Sequence, residues 1–305
     1  MMEAKRPKVS VCVITYNHSH YIRQCLQSIV DQVTAFDFEI IVGDDCSTDG
    51  TREIVIELSK QYPDKIVPVL YENKVGGTQN YLAVHNKARG EFVAHIDGDD
   101  MALPGKLQVQ ADYLDKHAGC AVVWHRMYLF NDDVKGYCIA NEPDLSPFQG
   151  GRLYLTDVLT LGSVVYHSSM MYRRTARKTK EFSGEVMDWY YTVEFLSAGY
   201  GKYLDLILGK YRVSNNQWSS KNARLRSIRT VYLNTLNQYV NAYPQHRCEI
   251  FINCVIGFLV DVRNFRSTAF SFIPLMFRTF SLVSPKKLVF SVLRLRKISK
   301  MGRAP

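Results

Sequence analysis

No Asp or Glu follows Asp261. Residues 262–305 hold ten Lys or Arg and no acid, which leaves 28 basic against 29 acidic residues before them, so the formal charge of +9 belongs to the tail alone. The chain therefore reads as a near-neutral body with a basic, aliphatic-rich end. No nucleic-acid-binding motif accompanies those cations, so nucleic acid is not expected as a partner. The apolar run from Ile250 to Val260 stops at Asp261, short of the roughly 20 residues a helix needs to cross a bilayer. The first strand begins by Val9, soon after Lys5, Arg6 and Lys8, with no room for the apolar core of a signal peptide. The seven cysteines are odd in number and form no C-x-x-C pair, and several lie inside apolar runs; reduced thiols in a cytoplasmic protein are expected, not a disulfide scaffold. Neither glycine-rich phosphate fingerprint occurs, which disfavours dinucleotide-binding and P-loop chemistry. There is no internal repeat or low-complexity block.

What the chain does have is length for one large α/β domain or a domain with an appendage, and 47% hydrophobic residues to fill its core. Val9 to Ile14, Phe38 to Val42, Lys65 to Tyr71, Glu91 to Ile96 and Ala121 to Phe130 read as strands. Between them Tyr21, Ile22, Cys25, Leu26, Ile29 and Val30 recur at helical spacing, and further helices are expected after Ser47, over Thr78 to Ala88 and over Pro104 to His117. This alternation predicts a mostly parallel sheet flanked by helices, with ligands at the carboxyl ends of its strands. Polar clusters stand at four such ends: Thr15-Tyr16-Asn17, Asp44-Asp45, Asn73 to Gly77, and Asp97 to Asp100. Beyond Phe130 a turn-rich loop runs from Asn131 to Gly151. Val164 to Tyr172 and Gly201 to Val213 then read as strands, Met187 to Ser197 as a short helix, and the chain after Trp218 as helical.

Asp97-Gly98-Asp99-Asp100 carries the most chemistry. Carboxylates gathered where a buried strand ends invite a cation, and one or two hard oxygen ligands suit Mg²⁺ or Mn²⁺ carrying a nucleotide diphosphate. Asp100 is expected to be a solvated neighbour.

In their order and spacing, Val9 to Asn17, Asp44 to Thr51, Asp97 to Asp100 with Leu103-Pro104, Asp188-Trp189-Tyr190, Gly199 to Asp205 and Tyr211-Arg212-Val213 resemble the family-2 glycosyltransferases of GT-A fold over roughly residues 8–218. The resemblance implies a catalytic domain over 1–220, with a nucleotide-sugar half (1–120) and an acceptor half (121–220), followed by a helical region over 221–305. It implies that Asp45 accepts the N3–H of uracil, that Thr15 and Tyr16 line the base, that Asp97 contacts ribose or supports the metal shell, and that Asp99 ligates Mn²⁺ or Mg²⁺. Asp188 is the implied catalytic base, although Met187 precedes it where the family carries an acid; Glu185 is the substitute if Asp188 only caps its helix. Arg212 is expected at the departing diphosphate or in a surface ion pair. His125 with Trp124, and His167 to Ser169, face either the acceptor or the core.

These roles imply direct displacement with inversion, moving a hexose or N-acetylhexosamine from a nucleotide sugar, UDP-linked by expectation, to a saccharide acceptor. Processive members carry Q-x-x-R-W and membrane spans. Asn215-Asn216-Gln217-Trp218 lacks that spacing, so one sugar per encounter is expected. Residues 262–305 read as in-plane helices on an anionic membrane surface or as a hairpin closing the protein's own core. Membrane contact implies a polyprenyl-diphosphate-linked acceptor at the cytoplasmic face of the inner membrane, in O-antigen or capsule synthesis. Two other readings stay open: a non-catalytic nucleotide-sugar-binding scaffold, and a haloacid-dehalogenase-like phosphotransferase, which Met101 disfavours.

Overall fold

The computed structural model describes residues 6–132, 138–140, 148–162, 164–178, 184–213 and 222–299, except for the side chains of 149, 222–226 and 295–299. The chain divides into two compact units. The first comprises Met1–Asn141, Val165–Gly184 and Glu194–Val213, the second Glu142–Val164, Glu185–Val193 and Ser214–Pro305.

The first unit is built on β1 (Val9–Thr15), β2 (Phe38–Asp44), β3 (Ile66–Leu70), β4 (Phe92–Asp97), β5 (Met101–Ala102), β6 (Cys120–Phe130), β7 (Cys138–Ala140), β9 (Met171–Arg173) and β10 (Tyr200–Arg212). Their order across the sheet is β3-β2-β1-β4-β9-β6-β10-β5, with β7 paired to β6. β1 runs parallel to both β2 and β4, and β6 parallel to β10. β9 is antiparallel to β4 and β6. β1 and β2 are buried along almost their whole length, which is why they read as largely apolar runs, broken only by Ser10 and Glu39, which bond each other, before the polar strand ends: helices cover both faces of such a sheet.

α1 (Ile22–Val30) turns Ile22, Cys25, Leu26, Ile29 and Val30 into the core. α2 (Thr51–Gln61), α3 (Gly77–Lys87) and α4 (Lys106–Lys116) complete this unit's flanking helices. Burial of each large aliphatic contributes about 1.5–3 kcal/mol, and the alternating run read from the sequence is the run observed. Two local expectations fail. The strand expected over Val164 to Tyr172 is confined to β9, because Ser168 and Ser169 turn the preceding chain into a short 3₁₀ helix, Ser169 Oγ donating to the Tyr166 carbonyl at 2.7 Å. The two-residue β5 was not foreseen; α4 accordingly starts at Lys106, after Gly105 at φ 83°.

The second unit contains β8 (Arg152–Leu153), α5 (Leu155–Leu161), Trp189 of α6 (Trp189–Leu196), α7 (Asn222–Ala242), α8 (Arg247–Arg263), α9 (Ile273–Thr279) and α10 (Pro285–Ser299). Asn253 of α8 donates to the Leu159 carbonyl of α5 at 2.9 Å, and Tyr239 of α7 donates to the Trp189 carbonyl at 3.2 Å. Asp261 is wholly buried and accepts Arg229 Nη2 at 2.7 Å, Arg266 Nη1 at 3.3 Å and Thr268 Oγ1 at 2.7 Å. It ties α7, α8 and the following turn together. The tail helices bury Ala269, Phe272, Leu275 and Thr279 but expose Phe265, Phe270, Phe277, Phe280, Leu282, Val289, Phe290 and Leu293. No described helix is long and apolar enough to cross a membrane. The segment Asn215 to Trp218 lies outside the described residues, as does most of the loop between Asn131 and Gly151.

Breaking a buried ion pair from one side strands its partners. Asp261→Ala is therefore expected to lower stability by about 3 kcal/mol, read as an earlier urea-unfolding midpoint; a midpoint equal to the parent's contradicts this role.

Candidate active site

The carboxyl ends of β2, β1 and β4 lie side by side. Thr15 pairs with Asp44 across β1 and β2, and Ile14 with Asp97 across β1 and β4. Two further backbone bonds carry the ladders into the loops: Asp45 N–H to the Thr15 carbonyl at 3.1 Å, and Gly98 N–H to the Ile14 carbonyl at 2.9 Å. Adjacent strands are about 4.8 Å apart, so groups leaving β2 and β4 stand ~10 Å from each other across β1. Gly98 permits the close approach: a Cβ there would lie 2.7 Å from Thr15 Oγ1 and 3.1 Å from His18 Nδ1.

Asp44 and Asp45 divide their work. Asp44, fully buried, accepts the Ser47 hydroxyl and, at 3.2 Å, the Ser47 amide, closing its own turn. Asp45 reaches across to the loop before α3, where Oδ1 accepts Val75 N–H at 2.6 Å and Oδ2 accepts Gly76 N–H at 3.1 Å. A carboxylate has about four lone-pair directions, and these bonds leave capacity on Oδ2. Tyr16 is 38% exposed, with the Lys74 ammonium 3.5 Å from its ring centroid. A flat aromatic face, a buried acceptor and a backbone carbonyl thus meet at the ends of β1 and β2.

The acidic turn is less solvated than its sequence suggested. Asp97 is about one-third exposed; its Oδ1 accepts His95 Nε2 at 3.1 Å and its Oδ2 the Ser168 hydroxyl at 3.3 Å. Asp100, expected in solvent, is 1% exposed, and its Oδ1 accepts Arg212 N–H at 2.8 Å. β5 pairs with β10 directly after it, and this pairing draws Asp100 inward. Burial pushes the Asp100 carboxyl well above the usual range, and Asp99 and Asp97 push it further. Asp99 is raised as well, chiefly by burial, with His18 opposing and Asp97 adding to the rise.

Arg212 is buried rather than being a surface ion pair. Its Nε donates to the Asp99 carbonyl at 2.9 Å, Nη1 donates to Asp132, and the guanidinium lies between the rings of Tyr21 and Phe130, 4.1 and 4.4 Å from their centroids. It holds the turn from beneath. Among the described residues no three His, Cys, Asp or Glu side chains are arranged to cage a metal. The donor set fits instead a divalent ion that takes one or two carboxylate oxygens here and the rest of its shell from phosphate and water. Crowded carboxyls with raised proton affinity suit such an ion.

Asp188 belongs to the second unit, where it is exposed and immediately precedes α6, Oδ1 accepting the Trp189 amide at 2.7 Å. Glu185 is exposed in the same stretch. Trp124 and His125 are core residues: both are fully buried, and His125 donates from Nδ1 to the Arg126 carbonyl at 2.7 Å while Nε2 accepts Lys106 Nζ at 2.7 Å. Lys106 itself, 1% exposed, is lowered to about 7 by burial. A cleft of about 620 Å³ lined by Arg6, Lys8, Asp37, Glu91 and Arg173 lies at the amino-terminal ends of β1, β2 and β4, opposite to where a parallel sheet places its ligands. Sequence reasoning passed over His95, whose only signal is polarity inside an apolar run, and named Ser168 for the acceptor or the core, whereas its hydroxyl meets Asp97.

A carboxyl whose folded pKa is raised lends stability that is complete below its unfolded value of 3.8 and lost as pH rises through the folded value. Asp100→Asn keeps an oxygen for Arg212 N–H and removes the charge. At pH 7 its Tm is expected to lie above the parent's by roughly 2–4 °C, with the difference vanishing near pH 4; scanning calorimetry at both pH values checks this.

The family model described as glycosyl transferase family 2 matches residues 10–179. An uncharacterized Mycobacterium tuberculosis protein is 32% identical over 207 residues, 67% of this chain and 58% of its own length. The abequosyltransferase RfbV of Salmonella typhimurium is 28% identical over 207 residues, covering 62% of this chain and 59% of that protein. The chain thus spans less than two-thirds of either curated relative. Residues 1–349 of S. aureus TarS, solved in complex with UDP-GlcNAc, superpose with a TM-score of 0.65 at 22% identity, covering 96% of this chain and 90% of that one. That likeness identifies the sheet and its helices as the GT-A fold. With more than half of the chain matched to the model, the protein belongs to glycosyl transferase family 2.

Proposed function

We propose that the chain is a non-processive, inverting glycosyltransferase that moves a hexose or N-acetylhexosamine from a nucleotide sugar to a saccharide acceptor in polysaccharide biosynthesis. The observation that carries the reading is the side-by-side delivery of Thr15-Tyr16, Asp45 and Asp97-Asp99 by three adjacent strand ends. The UDP-GlcNAc held by TarS and the sugar named for the Salmonella relative support a nucleotide sugar as donor. UDP is the expected carrier: Asp45 Oδ2 accepts uracil N3–H, a charge-assisted bond that selects the base, and the ring takes the Tyr16 face now covered by Lys74. Asp97 contacts the ribose. Asp99 holds Mn²⁺ or Mg²⁺, which, when bound, neutralises charge on the diphosphate.

Asp188 is proposed as the base. The acceptor oxygen forms its bond to the anomeric carbon as the bond to the β-phosphate oxygen breaks, the acceptor proton passes to the Asp188 carboxylate, and the nucleoside diphosphate leaves with the electron pair. One displacement inverts the centre, so an α-linked donor gives a β-linked product. Arg212, buried beneath Asp99, serves this site by fixing the turn and is proposed to contact the departing diphosphate.

The acceptor is proposed to be polyprenyl-diphosphate-linked, met at the cytoplasmic face of the inner membrane. Support comes from the exposed Phe265, Phe270, Phe277, Phe280 and Phe290 on a stretch with ten cations and no acid, a pairing of wedge residues and charge that favours anionic lipid.

Incubation with a panel of nucleotide sugars and Mn²⁺ is expected to release nucleotide, with Asp99→Ala and Asp188→Asn each lowering the rate at least about 100-fold. Asp188→Asn is expected to keep UDP binding; full activity in that variant rejects Asp188 as base. For the membrane, flotation with vesicles containing anionic lipid is expected to carry the protein upward, and Phe270→Ser/Phe277→Ser/Phe280→Ser to leave it at the bottom. Equal flotation of parent and variant defeats the membrane proposal.

A further inference from the structure

Three buried side chains outside the residues assigned above form a single line that ends on Asp97. Tyr172 of β9, His85 of α3 and His95 of β4 are 0%, 2% and 0% exposed. The Tyr172 hydroxyl lies 2.7 Å from His85 Nδ1, His85 Nε2 lies 3.0 Å from His95 Nδ1, and His95 Nε2 lies 3.1 Å from Asp97 Oδ1. Tyr81 stacks on the His85 ring at 3.7 Å, and Phe195 on the Tyr172 ring at 4.0 Å, so the orientations of these two rings are fixed.

The direction of every bond follows from its far end. A carboxylate only accepts, so His95 Nε2 carries the hydrogen. Burial, together with the Lys106 charge, lowers His95 to about 3, so the ring is neutral and its Nδ1 must accept. His85 Nε2 is then the donor; His85 is also held neutral, mainly by burial, which makes its Nδ1 an acceptor for the Tyr172 hydroxyl. Burial keeps that phenol protonated. Three donors therefore point the same way, and polarisation along such a chain strengthens its last bond.

We propose that Tyr172, His85 and His95 are positioning residues that fix the carboxylate of Asp97 toward the donor nucleotide. His95 grips Oδ1 from below while the Ser168 hydroxyl, 3.3 Å away, grips Oδ2. With both oxygens tethered the carboxylate is restrained about its last torsion, while about a third of the side chain stays exposed to a ligand. Purely structural filling would use apolar side chains, which avoid the cost of desolvating two imidazoles and a phenol. The same ordering of a ligand by an outer hydrogen bond governs metal-bound histidines. The inference rests on the reading of Asp97 as a donor-site group.

The test separates the two. Long-range ¹⁵N–¹H spectra of the full chain, labelled at histidine, are expected to show His85 and His95 as neutral Nε2–H tautomers at pH 7, both shifting when UDP and Mn²⁺ are added. A Nδ1–H tautomer or a protonated ring at either position overturns the proposal, as does a UDP response confined to other histidines. By calorimetry, His95→Leu is expected to weaken UDP binding about tenfold, the worth of one bond to a charged group. His95→Gln, whose amide N–H can replace Nε2–H, is expected to stay within about twofold. Equal losses in the two variants reject positioning. Tyr172→Phe removes only the first donor and is expected to weaken UDP binding roughly threefold; it decides the case if His95→Leu does not fold, and unchanged binding there overturns the relay. Asp97→Asn with unaltered UDP affinity sinks the donor-site reading instead, whatever the tautomers show.

Discussion

Everything at the candidate site depends on keeping three carboxyls within four residues of one another at the end of β4. Burial first, and repulsion between neighbouring carboxylates after it, raise the proton affinity of Asp99 and Asp100, and that rise expresses the cost. The turn survives because β10 returns beneath it. Arg212 offers its own amide to Asp100 and its guanidinium to the Asp99 carbonyl, while Tyr21 and Phe130 sandwich the cation. A planar, weakly hydrated guanidinium tolerates such burial better than an ammonium would. A ligand arriving here finds its acidic groups already arranged, which lowers the ordering cost of binding.

The strand ends were legible because period and polarity change together there. Val9 to Ile14 is mostly apolar until it meets Thr15-Tyr16-Asn17, and Phe92 to Ile96 is mostly apolar until it meets Asp97; nothing but local sequence is needed to see either break. The support for the turn was not legible. Arg212 lies 112 residues from Asp100, and no local pattern says that β5 and β10 will pair and carry Asp100 out of solvent. His95 was hidden for a different reason. A polar residue in an apolar run looks like a tolerated exception until its partner is known, and its partner is Asp97, which Ser168 also meets from a turn that the sequence marked only by its polarity.

The basic tail held two readings, a membrane surface and a hairpin closing a core, and the second unit has features of each. Phe272 and Leu275 are buried while Phe270 and Phe277 are exposed, so one stretch faces in two directions. Asp261 explains how the inward half is fixed. As the last acid of the chain it is wholly buried among Arg229, Arg266 and Thr268, and the acid-free sequence beyond it consequently has no counter-charge of its own. Arg266, Lys287 and Arg294 take their counter-charges from Asp261, Glu249 and Asp157 earlier in the chain, and the outward aromatics stand on the same acid-free stretch, a combination that aqueous solubility alone does not require.

Exposure falls in a meaningful order across the strand ends. Asp97 is about one-third exposed and Asp45 only 3%. In the proposed reading the buried acid meets a base N–H, where exclusion of water makes one hydrogen bond discriminating. The more open acid meets ribose, whose hydroxyls water can also satisfy, so selection there must come from geometry rather than from dryness. Asp97 has two tethers on its oxygens from His95 and Ser168, whereas Asp45 is fixed by backbone amides of residues 75 and 76. A buried acceptor can be aimed by the main chain that buries it. One left open to solvent needs side chains behind it, and here β4 supplies His95 and the 3₁₀ turn before β9 supplies Ser168.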